Sequence, residues 1–183
     1  IAARNGNGEI LKILMEAGAR VDPANTNFSP LRLAADRGHH EVVQMLLRHG
    51  AAVDSHEGDE GWTALIWASA GGHVEIVKTL LEEGADVNHT VLGKMTKALH
   101  VAAQNGCTDV VRTLVAHGAE IDAREYRGLT ALHLAAYHGY EEVVRILLDH
   151  GADRTIKGSR GETALELADE GGYQGVVRRL SGK

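Results

Sequence analysis

Apolar positions in this chain fall into short blocks that repeat. One block is a small apolar segment closing on a pair of small residues: Ala34-Ala35, Ala68-Ser69, Ala102-Ala103 and Ala135-Ala136. A glycine turn follows each pair. After the turn comes a second apolar run, as in Val143-Val144-Arg145-Ile146-Leu147-Leu148, whose spacing predicts a helix packed on the one before it. Small residues let the two helices approach closely. A glycine such as Gly151 then suits a left-handed helix terminus. A threonine stands before most first helices, as at Thr63, Thr130 and Thr163, where it can satisfy free N–H groups. Between helix pairs, stretches such as Asp122 to Gly128 are polar and predict an extended finger with a tight turn at its tip.

Several independent phrases keep the same beat. Gly-Ala pairs start at Gly18, Gly50, Gly84, Gly118 and Gly151, spaced 32, 34, 34 and 33 residues apart. A second phrase runs through Ser29-Pro30-Leu31-Arg32, Thr63-Ala64-Leu65-Ile66, Lys97-Ala98-Leu99-His100, Thr130-Ala131-Leu132-His133 and Thr163-Ala164-Leu165-Glu166, with steps of 34, 34, 33 and 33. Internal periods of this size signal stacked repeats, none of which can bury its apolar face alone.

With these residues in view, the chain resembles the ankyrin-repeat family, whose period is about 33 and whose signature is T-P-L-H-x-A. Thr130-Ala131-Leu132-His133-Leu134-Ala135-Ala136 matches it, with Ala131 where the family favours Pro. The resemblance runs from Ile1 to about Leu180 and implies an all-α repeat solenoid, each repeat a helix-turn-helix plus a hairpin-like finger. The expected organisation is one ankyrin-repeat domain over 1–183. It divides into a partial first repeat at 1–23, repeats at 24–56 and 57–90, an irregular repeat at 91–123, a repeat at 124–156 and a C-terminal capping repeat at 157–183. The cap is read from Asp169, which breaks the Ala pair, and from Arg178-Arg179 in a stretch that is apolar earlier. In the irregular repeat Met95 replaces the usual glycine of the finger, so an altered turn is expected there.

Composition narrows the function. Aromatics are only 4% of the chain, so Leu, Val, Ile and Ala must fill the core. The formal net charge of −6 argues against non-specific nucleic-acid binding, which needs a basic footprint. No apolar run approaches the roughly 18–20 residues that span a bilayer, so no membrane insertion is expected. The single cysteine, Cys107, cannot form an internal disulfide, which favours an intracellular setting, cytoplasmic or nuclear. The isolated domain is expected to be a monomer.

Catalytic, metal and cofactor sites are not expected. The eleven histidines lack H-E-x-x-H spacing. The resemblance implies that His100 and His133 are structural hydrogen-bonding residues. His49, His117 and His150 each precede the glycine that ends a second helix, where a donor complements the helix C-terminus. Cys107 reads as an ordinary turn residue without a base beside it. Gly6-Asn7-Gly8 and Lys157-Gly158-Ser159 lack the context of nucleotide-binding loops. Asn88 has two readings: a finger-base residue that bonds the next turn, or, by the resemblance, an asparagine open to hydroxylation, with Leu80, Asp86 and Val87 supplying the context.

In the resembling family the finger tips and the exposed side of the first helices form a concave binding surface. Mapped by the repeat beat, that surface nominates Phe28 and Arg37 in the first full unit, Asp59, Glu60 and Trp62 in the second, and Lys94 and Gln104 in the third. The fourth supplies Tyr126, Arg127, Leu129, Tyr137 and His138, and the fifth Arg160. Exposed aromatics and arginines are enriched in binding hot spots. Phe28, Trp62 and Leu129 share one offset, just before the helix start, and their alternative role is packing between fingers. Trp67 lies on an offset expected to be buried. Acidic residues crowd the second finger and basic residues mark the later ones, a gradient that would orient an extended peptide. The expected function is therefore a non-enzymatic module binding a protein or peptide, with a structural spacer in a larger protein as the alternative.

Overall fold

The computed structural model describes residues 1–22, 29–55 and 61–182. Among them are eleven helices: α1 (Gly8–Glu16), α2 (Pro30–Asp36), α3 (His40–Arg48), α4 (Ala64–Ala70), α5 (Val74–Glu82), α6 (Ala98–Gln104), α7 (Thr108–Ala116), α8 (Ala131–Tyr137), α9 (Glu141–Asp149), α10 (Ala164–Glu170) and α11 (Gln174–Leu180). They form two layers. The first helices α2, α4, α6, α8 and α10 stack side by side, as do the second helices α1, α3, α5, α7, α9 and α11, and each first helix packs on the second helix that follows it. The result is the all-α repeat solenoid that the resemblance implies.

Helices of seven to nine residues are too short to stand alone, so packing must stabilise them. The small pairs make that packing possible. Ala34, Ala35, Ala68, Ser69, Ala102, Ala103, Ala135 and Ala136 have no exposed surface. Between the layers, Leu46, Leu80, Leu114 and Leu147 recur once per repeat, each at most 1% exposed. Trimming one of these to Ala would cost about 2–5 kcal/mol. The last helix pair is more polar. Glu166, Asp169, Glu170, Arg178 and Arg179 are exposed there, and Leu165 is only half-buried, whereas its counterpart Leu132 is buried. At the other end α1 leaves Ile10, Ile13 and Leu14 exposed.

Histidines close the second helices as the sequence suggests. Nδ1 of His49, His117 and His150 bonds the carbonyl four residues back, each at 2.8 Å. The chain then reverses through glycines such as Gly151, at φ +91°, and Ala152 N–H reaches Leu147 O at 3.0 Å.

The expected cap is present where Thr163 Oγ1 accepts from Glu166 N–H at 3.3 Å, and the first helices add a second, reciprocal bond. Lys97 N–H donates to Nδ1 of His100 at 3.1 Å, and Thr130 N–H to Nδ1 of His133 at 3.3 Å. Thr163 N–H donates to Oε2 of Glu166 at 2.7 Å. The residue three places into the helix, not only the one before it, satisfies the orphan donor. Because Nδ1 of His100 accepts, Nε2 carries the proton and donates to Ala123 O at 2.9 Å, tying α6 to the next finger.

A further column runs along the inter-helix turns. His39, His73, Cys107, Tyr140 and Tyr173 each lie against a turn glycine of the preceding repeat, namely Gly6, Gly38, Gly72, Gly106 and Gly139. At Gly106, φ is +69° and an added Cβ would come within 2.8 Å of the Tyr140 ring, so no other residue fits. Cys107 thus has a defined place: its Sγ lies on Gly72 with burial raising the thiol pKa, and neighbouring Asn105 bonds Ala70 O at 2.9 Å.

Adjacent fingers are pinned at their bases. Asp22 accepts from Ala52 N–H at 2.8 Å, Asp54 from Asp86 N–H at 3.1 Å and Asp122 from Asp153 N–H at 3.0 Å. Asn88 takes the same place just before the finger of the irregular repeat. Its Oδ1 accepts from Glu120 N–H at 2.9 Å, and its Nδ2 also donates to Gly118 O at 3.1 Å. That finger does turn differently. The closing hydrogen bond runs from Val91 N–H to Thr96 O, where the next two fingers close tighter, from Glu125 to Leu129 and from Gly158 to Glu162. Both Gly93, at φ +73°, and Met95, at φ +50°, adopt left-handed backbone.

Candidate functional site: a cleft between the last two fingers

The third and fourth fingers are joined by a backbone hydrogen bond from Tyr126 N–H to Lys94 O at 3.0 Å, and the fourth and fifth by one from Ser159 N–H to Arg127 O at 2.9 Å. Where the last two fingers meet the first helices α6, α8 and α10, they enclose an open cleft of about 440 Å³. Leu129, Leu134 and Leu167 make its apolar floor. Tyr137 and His138, at the end of α8, form one wall with Gln104 from α6. Arg127, Ser159, Arg160 and Glu162 line the finger side.

Six of the residues nominated from the sequence converge here: Gln104, Arg127, Leu129, Tyr137, His138 and Arg160. Tyr137 is 57% exposed and stands edge-on to His138, with ring centroids 5.0 Å apart. His138 in turn stacks on Tyr140 at 5.8 Å. Tyr126, 62% exposed, lies beneath the Arg127 guanidinium at 5.4 Å, just outside the cleft.

One expectation is corrected. Leu129 is not an exposed anchor: it is buried, because its side chain closes onto Gly158 of the next finger, where an added Cβ would come within 2.7 Å of its Cδ2. It shapes the floor instead of projecting to a partner.

Sequence reasoning missed Glu125, the residue that sets the fourth finger. Its side chain is 3% exposed. The carboxylate accepts from Arg127 N–H at 2.9 Å, from Leu129 N–H at 3.3 Å and from Arg127 Nε at 3.3 Å. The counterparts Leu92 and Gly158 are not acidic, so no periodic signal marks it.

The other nominated residues lie elsewhere. Trp62 and Lys94 belong to a separate ladder. Arg32 lies over Trp67, Trp67 is tilted against Trp62, and Lys94 lies over Trp62, each step 5.3 Å between centres. Trp62 is half-buried and packs against the core, and Trp67 is half-buried where full burial is expected. Arg37 is exposed at the end of α2 and pairs with Asp36 at 3.2 Å. Phe28, Asp59 and Glu60 lie outside the described residues, and with them much of the expected acidic finger.

Charge around the cleft is uneven. Glu120 pairs with Lys97 at 3.3 Å, Asp122 bonds the next finger and Glu125 holds Arg127. Arg124 spends its guanidinium on the carbonyls of Gly128 and Lys157. Arg124, Lys157 and Arg160 form no ion pair among the described residues, although Lys157 lies near enough to Glu166 to help hold its pKa down. Beneath the cleft, burial pulls the pKa of His133 below its ordinary 6.5, against the weaker opposing pull of nearby carbonyls and Glu162. Burial does the same to His100.

A family model of ankyrin repeats (three copies) matches residues 1–91 and 99–183. The chain belongs to the ankyrin-repeat family. No curated protein matches it individually. Ankyrin repeats generally serve protein–protein interaction and are typically non-catalytic. Among the described residues no group of three or more His, Cys, Asp or Glu could hold a metal ion, and no helix is long and apolar enough to cross a membrane.

Proposed function

We propose that this ankyrin array is a non-enzymatic module that holds a protein partner on its concave face, with the cleft between the fourth and fifth fingers as the contact centre. The observation that supports this most is the convergence of Tyr137, His138, Arg127 and Arg160 around a leucine floor. Exposed aromatics and arginines ringing an apolar pocket have the composition of a binding hot spot. Partners of such a module would be proteins or peptides met inside the cell.

The test is site-directed photocrosslinking. A benzophenone side chain placed at Tyr137 should trap a discrete protein from cell lysate, and the same group at exposed Arg112 on α7 should not. Equal trapping at both positions would overturn the concave-face assignment. No trapping at either would favour the array as a structural segment of a larger protein.

A further inference from the structure

Resting on that reading, we infer that the cleft takes an extended peptide that sets one apolar side chain on the Leu134–Leu167 floor and brings an adjacent carboxylate to Arg160. The two halves of the cleft carry different chemistry. The helix side offers leucine side chains with the Tyr137 and His138 rings beside them, a place for a branched or aromatic anchor. The finger side is basic. Arg160 lines the cleft, is exposed and forms no hydrogen bond or ion pair among the described residues, and Arg124, outside the cleft lining, spends its guanidinium on the carbonyls of Gly128 and Lys157 and not on a carboxylate. Glu162 is the one acidic group lining the cleft, and it is turned inward: its Oε2 is buried and its Oε1 lies over Gly158. The neighbouring acid, Glu125, is buried under Arg127.

The contrast with the rest of the molecule sharpens the preference. The chain as a whole carries a formal net charge of −6, so an unpaired arginine at this rim stands against an acidic balance elsewhere. Complementarity of this kind selects and orients a ligand more than it tightens the complex. A groove with an apolar floor and a cationic edge discriminates by both features together, since either alone occurs widely on protein surfaces.

Random heptapeptides displayed on phage and selected on the immobilised 183-residue chain test this. The expected winners carry Leu, Ile, Met or Phe with Asp or Glu within three residues. Fluorescein-labelled copies of the winners should lose at least about tenfold in affinity to an Arg160→Glu chain. Selection repeated on that variant should exchange the acid for Lys or Arg. Winners without acidic residues, or winners indifferent to Arg160→Glu but weakened by Tyr137→Ala, would overturn the inference and leave the concave-face reading standing. Winners indifferent to both variants would overturn both. Failure to select any peptide would overturn the linear-peptide inference, and the crosslinking experiment would still decide whether a folded partner docks. Melting temperatures of the variants, expected to match the parent because both side chains are exposed, separate lost contact from lost fold.

Discussion

Glu125 lies directly under Arg127. One nearly buried carboxylate receives the backbone N–H of Arg127 and of Leu129 together with the Arg127 guanidinium. The finger that builds half of the cleft is therefore organised from within by a charge that no solvent-facing inspection would find. Removing it leaves two backbone donors without their acceptor and a cation without its partner.

Glu125→Ala should lower stability by about 1–3 kcal/mol, the usual cost of buried donors left unmet. Glu125→Gln keeps an acceptor for the N–H groups and should cost less. Urea denaturation of the three chains checks the order. Equal stability of the Ala variant and the parent would show that the finger does not depend on this carboxylate.

Met95 holds left-handed backbone at φ +50°, where Gly61, Gly128 and Gly161 stand in the second, fourth and fifth fingers. A side chain in that region costs about 1–2 kcal/mol, part of which glycine gives back through its greater freedom in the unfolded chain. Met95 is 55% exposed and forfeits little contact when removed. Met95→Gly should therefore stabilise the protein by about 0.5–1 kcal/mol, seen as a higher urea midpoint at unchanged slope. A lower midpoint would mean that the methionine packs more than its exposure suggests.

His100 and His133 are held below their ordinary pKa of 6.5, chiefly by burial. The folded chain thus resists protonation that the unfolded chain accepts. Stability from these sites is full above about pH 7.5 and declines as pH falls through 6.5, by at most about 1.4 kcal/mol per pH unit per histidine. Glu166, which fills the same helix position in the fifth repeat, is held below 4.5 by its bonds to the Thr163 N–H and hydroxyl, so it stays ionised across this window. A His100→Gln/His133→Gln chain keeps an acceptor for the helix start but cannot titrate. Its stability should change less between pH 7.5 and 5.5 than that of the parent. Identical slopes would assign the pH dependence to other groups.

The repeat architecture was readable because it is written redundantly. The Ala pairs, the Gly-Ala phrases and the Thr-x-Leu-His stretches each mark the same register, and burial at 0% of Ala34, Ala68, Ala102 and Ala135 shows why those places tolerate little else. The column of His39, His73, Cys107, Tyr140 and Tyr173 also keeps the beat, at steps of 34, 34, 33 and 33, but its chemistry changes so much that the period hides in it. The candidate site was only partly readable. Offset alone equates Leu129 with Trp62 and Thr96, but whether such a side chain projects or folds in depends on the neighbouring finger, and Gly158 supplies room that a larger residue would deny. Trp67 is misplaced for the same reason: Arg32 and Trp62 lie on its faces, and neither follows from its own position in the repeat.

The cleft is assembled across a joint. Gln104 comes from the third full repeat, Tyr137 and Arg127 from the fourth, Arg160 and Leu167 from the fifth, and between the last two fingers the described backbone link is Ser159 N–H to Arg127 O. Small changes in the twist of the stack therefore alter the width of the site directly. Tension or bending along the array becomes a change in grip, and an occupant that bridges the joint stiffens the solenoid in return.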